Sequence, residues 1–348
     1  MDPSPLEAGA LAILNGADPA MVATELAHPA ADLISAARTY ETAGRAALAY
    51  AACSSRWRHV TLVISGRDEA EHVGINYLAP AMEMLRGSGA LTGWWYLRKP
   101  GQWRIRYLPT PERDEAAAAG LARTLDGLRD DGIITNWISG IYEPEVEVFG
   151  GPAAMDIAHT LFSSDSRCLL QYLARPEPLG RRELLVLLPT VLVRAAGLDW
   201  YEQGQLWAEV AQGRTGTIDP ARITALTPAV RTLLRADVSA ADPRTLGIAE
   251  SITAYAQAGA ALRHLATHGL LHRGLRDVCA RHVIFAANRL GVPYEQQSQL
   301  IQTARDVILQ PGRTAVRVCA PRRAPVGHQE DAESARDRLT STDCGGNG

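Results

Sequence analysis

Beyond Gly150-Gly151 the spacing of apolar residues becomes helical almost throughout, and that change constrains the fold more than any other feature. Beyond it, "PAAMDIAHTLF", "RRELLVLLPTVLVRAAG", "YEQGQLWAEVAQG", "ARITALTPAVRTLLR", "PRTLGIAESITAYAQAGAALRHLATHG", "HRGLRDVCARHVIFAANRLG" and "PYEQQSQLIQTARDVIL" repeat apolar residues at helical spacing. Before it, short strand-like runs dominate: "HVTLVISG" (59–66), "GWWYLRK" (93–99), "QWRIRYLP" (102–109), "IITNWIS" (133–139) and "EVEVFG" (145–150). Pro100-Gly101 between the second and third marks a tight hairpin. "PERDEAAAAGLARTLDGLRDDG" adds a helix with acidic residues in its first turn. The reading is α+β, with an antiparallel sheet from the first half packed on a helical second half.

The boundaries follow from composition. Residues 5–52 read as two helices, the sheet region spans 56–151 and the helical region 152–310, together one domain. From Pro311 to 348 the chain is rich in Arg, Pro, Asp, Ser and Gly and reads as a disordered tail. A net charge of −3 offers no footprint for nucleic acid. Five cysteines (53, 168, 279, 319, 344) without C-x-x-C spacing argue against a disulfide framework. The N-terminus lacks a basic, apolar signal segment, and "ELLVLLPTVLV" is too short to span a bilayer, so a cytoplasmic protein without membrane contact is expected.

Phosphate-loop, dinucleotide and nucleophile-elbow motifs are all missing from the sequence. His264, His268 and His272 have metal-like spacing, yet Gly269 should end their helix, which favours histidines at a helix C-terminus. Two stretches carry more. Arg104 and Arg106 alternate on one strand and so share a face, opposite a neighbour bearing Trp95. That face is either solvated or built to grip carboxylate and amide oxygens. In "YEPEVEVFGG", Glu143, Glu145 and Glu147 also share a face and are expected to brace the arginine strand across the sheet. "SSDS" (163–166) is expected at the end of the following helix, as caps or as substrate contacts from Ser164, Asp165 and Ser166.

Taken in order, "WRIRY", "YEPEVEVFGG…A…LFSSDS", "GLDWYEQGQLW" and "ARHVIFAANRLG" resemble the thiopeptide-type bacteriocin biosynthesis family, which is similar to the C-terminal elimination domain of lanthipeptide dehydratases. The matching motifs cover roughly residues 90 to 310. The resemblance implies one of two reactions on a modified precursor peptide. One branch eliminates glutamate from glutamylated serine to leave dehydroalanine. The other joins two dehydroalanines in a formal aza-[4+2] cycloaddition, forming a pyridine and expelling water and the leader peptide. The eliminating branch reads Glu-x-x-Arg-Tyr/Phe-Gly-Gly, which would place arginine where Val148 stands, and a further histidine where Ala286 and Ala287 stand. A cation and a base are what elimination needs, so these departures favour cyclisation.

The resemblance further implies a cofactor-free enzyme whose partner is a dehydrated, azole-containing precursor peptide, with homodimerisation open. For catalysis it points to Tyr201 as proton donor, Glu202 to accept or orient, His282 as the nearby imidazole, and Arg104. Arg106, Gln203, Ser164, Asp165, Ser166, Asn288, Arg289 and Trp95 are its candidate substrate contacts. Read from the residues alone, Asp199 is an N-cap and Trp200 a packing residue. His282 is equally a core histidine, and Arg289 equally a helix C-terminal cation. A leader-peptide scaffold without catalysis is the remaining alternative.

Overall fold

Three helices precede the sheet, where the sequence suggested two: α1 (Pro5–Leu14), α2 (Pro19–Glu25) and α3 (Ala30–Ser54). Ser4 and Asp18 cap the first two by accepting from the Glu7 and Ala20 N–H groups, and Gly16 supplies the break at φ +93°. This computed structural model describes residues 4–54, 57–175, 179–238 and 246–310. The tail expected from 311 onward lies outside the described residues.

Four strands follow: β1 (Arg58–Val63), β2 (Leu91–Lys99), β3 (Gln102–Pro109) and β4 (Asn136–Gly140). They form one antiparallel sheet in the order β2-β3-β1-β4. Gly101, at φ +70°, completes the predicted hairpin between β2 and β3. Between β1 and β2 lie α4 (Arg67–Val73), a π-helical turn (Gly74–Leu78) and α5 (Ala79–Gly87), and α6 (Asp114–Asp130) links β3 to β4. The described second half is mostly helical, with connecting loops and no strand: α7 (Pro152–Leu173), α8 (Arg181–Ala195), α9 (Trp200–Gln212), α10 (Pro220–Arg235), α11 (Ala249–Thr267), α12 (Leu275–Leu290) and α13 (Tyr294–Leu309). No helix among the described residues is long and apolar enough to cross a membrane.

The predicted strand at 145–150 does not form. Pro144 has no N–H for a ladder, and the segment instead closes a turn in which the Phe149 N–H donates to the Glu145 carbonyl and the Gly151 N–H to that of Val146. Gly150 and Gly151 adopt φ of +90° and +102°, which only glycine takes without strain. The alternation of valine and glutamate therefore belongs to a turn that drops Phe149 into the core. "SSDS" is displaced as well: α7 runs unbroken to Leu173, so these residues sit mid-helix and cap nothing.

Strand alternation divides the sheet cleanly. Val60, Leu62, Trp94, Tyr96, Trp103, Ile105 and Tyr107 face the main core. Trp95, Leu97, Arg104 and Arg106 face the other way, with Trp95 opposite Arg106 and Leu97 opposite Arg104 across β2 and β3. Ser166 on α7 accepts from the Tyr96 N–H at 3.2 Å, satisfying a backbone donor at the β2 edge.

Two tests of the scaffold arise here. At Gly259 on α11, a methyl group would stand 2.2 Å from the Leu192 carbonyl oxygen and 2.8 Å from the Ala195 Cβ on α8. Gly259→Ala should therefore destabilise the fold by about 1–3 kcal/mol, read as a lowered urea midpoint. The second concerns Glu71, which joins Arg98 on β2 to Arg181 on α8. Burial pushes its carboxyl up, but the hydrogen bond from Arg181 and the charge of Arg98 prevail and lower it from 4.5 to about 2. Because the folded value lies below the unfolded one, this stabilisation is complete above about pH 4.5 and fades as pH falls toward 2. Glu71→Gln should accordingly lose less stability than the parent between about pH 5 and pH 3 in urea titrations.

Candidate active site

A cavity of about 330 Å³ opens on the sheet face that carries the arginines. Its apolar wall comes from Trp95 and Leu97 on β2, Phe149 from the turn, Met155 on α7, and Ile284 and Phe285 on α12. These rings pack on one another: Phe285 stacks on Phe162 at 5.1 Å between centroids, and Phe149 meets Phe285 edge-on at 5.0 Å. Against this wall stand five cations, namely Lys99, Arg104, Arg106, Arg214 and Arg281. Glu143 and Glu145 are the carboxylates in the lining, and Tyr142 and Tyr294 the phenols.

Arg106 is the centre of the arrangement. Its guanidinium lies 4.6 Å over the Trp95 ring and 5.4 Å over that of Tyr142, while Nη1 donates to the Arg104 carbonyl at 3.2 Å. Only 6 % of the residue is exposed, and its Nε has no hydrogen-bond partner. Burial first, and then the charge of Arg104, lowers it from 12.5 to about 10, so it remains a cation at neutral pH.

Tyr142 is paired from beneath. Its hydroxyl lies 2.8 Å from Nε2 of His159 on α7. Burial, helped by the Arg106 charge, lowers that imidazole to about 4 and keeps it neutral. Its Nδ1 is buried without a partner. A buried orphan lone pair is tolerated better than an orphan N–H, which favours the tautomer with hydrogen on Nε2. With that tautomer His159 donates to the Tyr142 oxygen and fixes the phenol beside the Arg106 guanidinium.

Of the residues singled out in the sequence, Trp95, Arg104, Arg106 and Asn288 meet in this cavity. The others stand elsewhere. Tyr201, the expected proton donor, is 69 % exposed on α9 and outside the lining. Glu202 accepts from the Asp199 N–H at 2.8 Å while Asp199 accepts from the Glu202 N–H at 2.8 Å, a reciprocal cap that occupies both carboxylates. Gln203 is buried and donates to the Leu198 carbonyl. His282 is sealed between Phe149 and Phe162, both ring nitrogens unpartnered, and burial drives it down to about 3. Asp165 and Arg289 form a buried ion pair at 2.5 Å behind the cavity. Ser164 lines a second cleft, of about 390 Å³, on the far side of His159.

The expected ion-pair network from the three glutamates to the arginine strand is replaced by separate contacts. Glu145 approaches Arg281 at 3.9 Å and Glu147 approaches His272 at 3.4 Å. Val148 is half-buried in the turn and does not reach the cavity. Sequence reasoning missed Lys99, Arg214, Arg281, Tyr142 and Tyr294 as lining residues. For Arg281 a signal existed, since Arg281, Ile284, Phe285 and Asn288 fall on one face at helical spacing.

A family model described as "lantibiotic biosynthesis dehydratase C-term" matches residues 57–308, well over half of the chain. The chain belongs to this family. The match takes in every strand and the helices α4 to α12, and so contains the cavity described above. Among solved structures, this family member is similar to the tRNA-dependent lantibiotic dehydratase MibB from Microbispora sp. 107891, with a TM-score of 0.55 and 19% identity over 74% of this chain. It spans 28% of the length of that dehydratase. Two smaller proteins are also similar: the pyridine synthase TbtD from thiomuracin biosynthesis (TM-score 0.47, 12% identity, 73% of this chain and 97% of that one) and TsrL (0.45, 13%, 72% and 97%). No curated protein matches the chain. The family model and the dehydratase together establish the fold as that of the dehydratase C-terminal region.

Proposed function

We propose that this chain is a pyridine-forming cyclase, closing a ring between two dehydroalanines of a dehydrated precursor peptide with loss of water and leader peptide. What carries the reading is the make-up of the cavity. An aromatic wall faces guanidinium and phenol donors, and among the described residues no imidazole is in the lining. In the sequence, Val148, Ala286 and Ala287 stand where the resemblance implies an eliminating cation and histidine. Two dehydroalanines are neutral, so the task is to fold the peptide and align carbons, for which a shaped apolar wall suffices. One amide must pass to its iminol form, its proton moving from nitrogen to oxygen. Arg106 and Arg104 can hold that oxygen by charge-assisted hydrogen bonds. Two carbon–carbon bonds then form, and the same oxygen leaves as water after taking a proton, which we assign to Tyr142. The Cα–N bond to the leader breaks, so that the leader leaves as its C-terminal amide. Each loss is matched by one proton from a ring methylene as the pyridine becomes aromatic.

Tyr142→Phe should lower the rate of ring closure about 100-fold while leaving KM near its parent value, measured by mass spectrometry of a dehydrated, azole-bearing peptide. Parent-like closure by Tyr142→Phe would remove Tyr142 from the reaction.

A second reading has one specific observation in its favour. The excess of cations suits the carboxylates of a glutamylated serine, as glutamate elimination would require. A glutamylated peptide offered beside the dehydrated one separates the two by mass.

A further inference from the structure

We infer that the cavity is one end of a longer basic trench that takes an acidic, extended segment of the substrate peptide, through carboxylates belonging to the peptide itself. The inference rests on the reading of the protein as an enzyme acting on a peptide. A neighbouring cavity of about 350 Å³ is lined by the β2–β3 hairpin, the start of α4 and the α12–α13 junction. Lys99, Asn288 and Tyr294 line both cavities, so the two adjoin. Each alone is of small-ligand size; side by side they run from the β2–β3 hairpin and the α12–α13 junction to the turn at Phe149, a span suited to an extended chain.

The charge is predominantly positive, with Glu143 and Glu145 the carboxylates in the lining. Arg67 and Arg98 join Lys99 in the second cavity, so the trench holds seven cations. The chain as a whole carries −3. Of the five cations in the first cavity, only Arg281 has a carboxylate within 4 Å among the described residues, that of Glu145. Arg104, Arg106, Lys99 and Arg214 have none. Arg214 is held on neutral groups instead, the Gln297 Oε1 at 3.1 Å and the Asn288 Oδ1 at 3.5 Å. Arg106 is 6 % exposed with its Nε unpartnered, and Arg98, its side chain 9 % exposed, gives Nη1 to Glu71 and keeps Nε and Nη2 unpartnered. Seven cations against Glu143 and Glu145 in the lining and Glu71 on Arg98 leave an excess of positive charge in a half-dry site, which costs stability that an anionic ligand recovers.

The test uses the full chain and a fluorescently labelled peptide of alternating glutamate and alanine, with a glutamine-for-glutamate twin. The glutamate peptide should bind at least about tenfold more tightly, and its advantage should shrink on raising salt from about 50 to about 500 mM. Arg104→Gln and Arg214→Gln should each remove roughly tenfold of that affinity and leave the twin unchanged, whereas Arg222→Gln, exposed on α10, should change neither. Arg67→Gln should weaken a long glutamate peptide and spare a short one. Equal binding of the twins, or equal losses at Arg104 and Arg222, would overturn the inference. So would Arg104-dependent binding confined to a peptide glutamylated on serine. The same variants assayed for ring closure keep the two claims apart. Closure without a glutamate preference overturns only the trench, and a glutamate preference without closure overturns only the cyclase reading.

Discussion

Asp165→Ala should cost this protein about 3–5 kcal/mol of stability, because it strands a guanidinium in the core. Arg289 is wholly buried and Asp165 nearly so, with Nε to carboxylate at 2.5 Å. The Arg289 guanidinium also stacks 4.4 Å over Phe162, one of the rings that supports the cavity wall. Removing the carboxylate leaves a charge with no water to solvate it, whereas removing both partners leaves a gap but no orphan charge. Asp165→Ala/Arg289→Leu should therefore lose much less than the two single losses combined. Urea unfolding of the four proteins in the cycle measures this. Single losses that simply add would mean the pair is not coupled.

Arg106→Ala should lower the rate of ring closure by about 100- to 1,000-fold, the scale seen when a preorganised oxyanion donor is lost. Arg106 is fixed from three sides, by Trp95, by Tyr142 and by the Arg104 carbonyl, so its remaining donors keep a constant direction. Lysine would keep the charge but lose the planar stacking and the second donor, and Arg106→Lys should recover little activity. Burial of this side chain makes some loss of stability unavoidable. The readout is therefore the split between kcat and KM on protein shown to be folded, with the larger fall in kcat. A variant with unaltered kcat would exclude Arg106 from the reacting centre.

The fold was legible wherever local chemistry and tertiary demand agreed. The Pro100-Gly101 hairpin, the shared face of Arg104 and Arg106 and the helices after Gly151 follow from turn residues and period alone. Legibility failed where one pattern served two structures. "EVEVFG" alternates like a strand, but with Pro144 before it and two positive-φ glycines after, it becomes a turn. Residues 67–87 gave no clear signal, because two short helices are joined there by a π turn that breaks the 3.6 period.

The site was legible in part for a related reason. Strand alternation assigns a face, so Trp95, Arg104 and Arg106 could be found. Glu202 and His282 carry chemistry-bearing side chains, but the first is held in the Asp199 cap and the second is sealed in the core, while Tyr201 stands exposed outside the cavity, and only the packing tells these positions from the lining. Arg214 and Tyr294 reach the cavity from segments 80 residues apart in sequence, which only the packing of α9 against α12 and α13 brings together.

The central claim is the reaction, and one measurement addresses it most directly. The purified protein is incubated with a dehydrated, azole-bearing precursor peptide, beside a second sample of the same peptide glutamylated on serine, and both are followed by mass spectrometry. The account predicts, from the first, a leader peptide released as its C-terminal amide and a macrocycle, the two together weighing one water less than the substrate, with the second keeping its glutamate. Loss of glutamate from the second, with the first untouched, would contradict it.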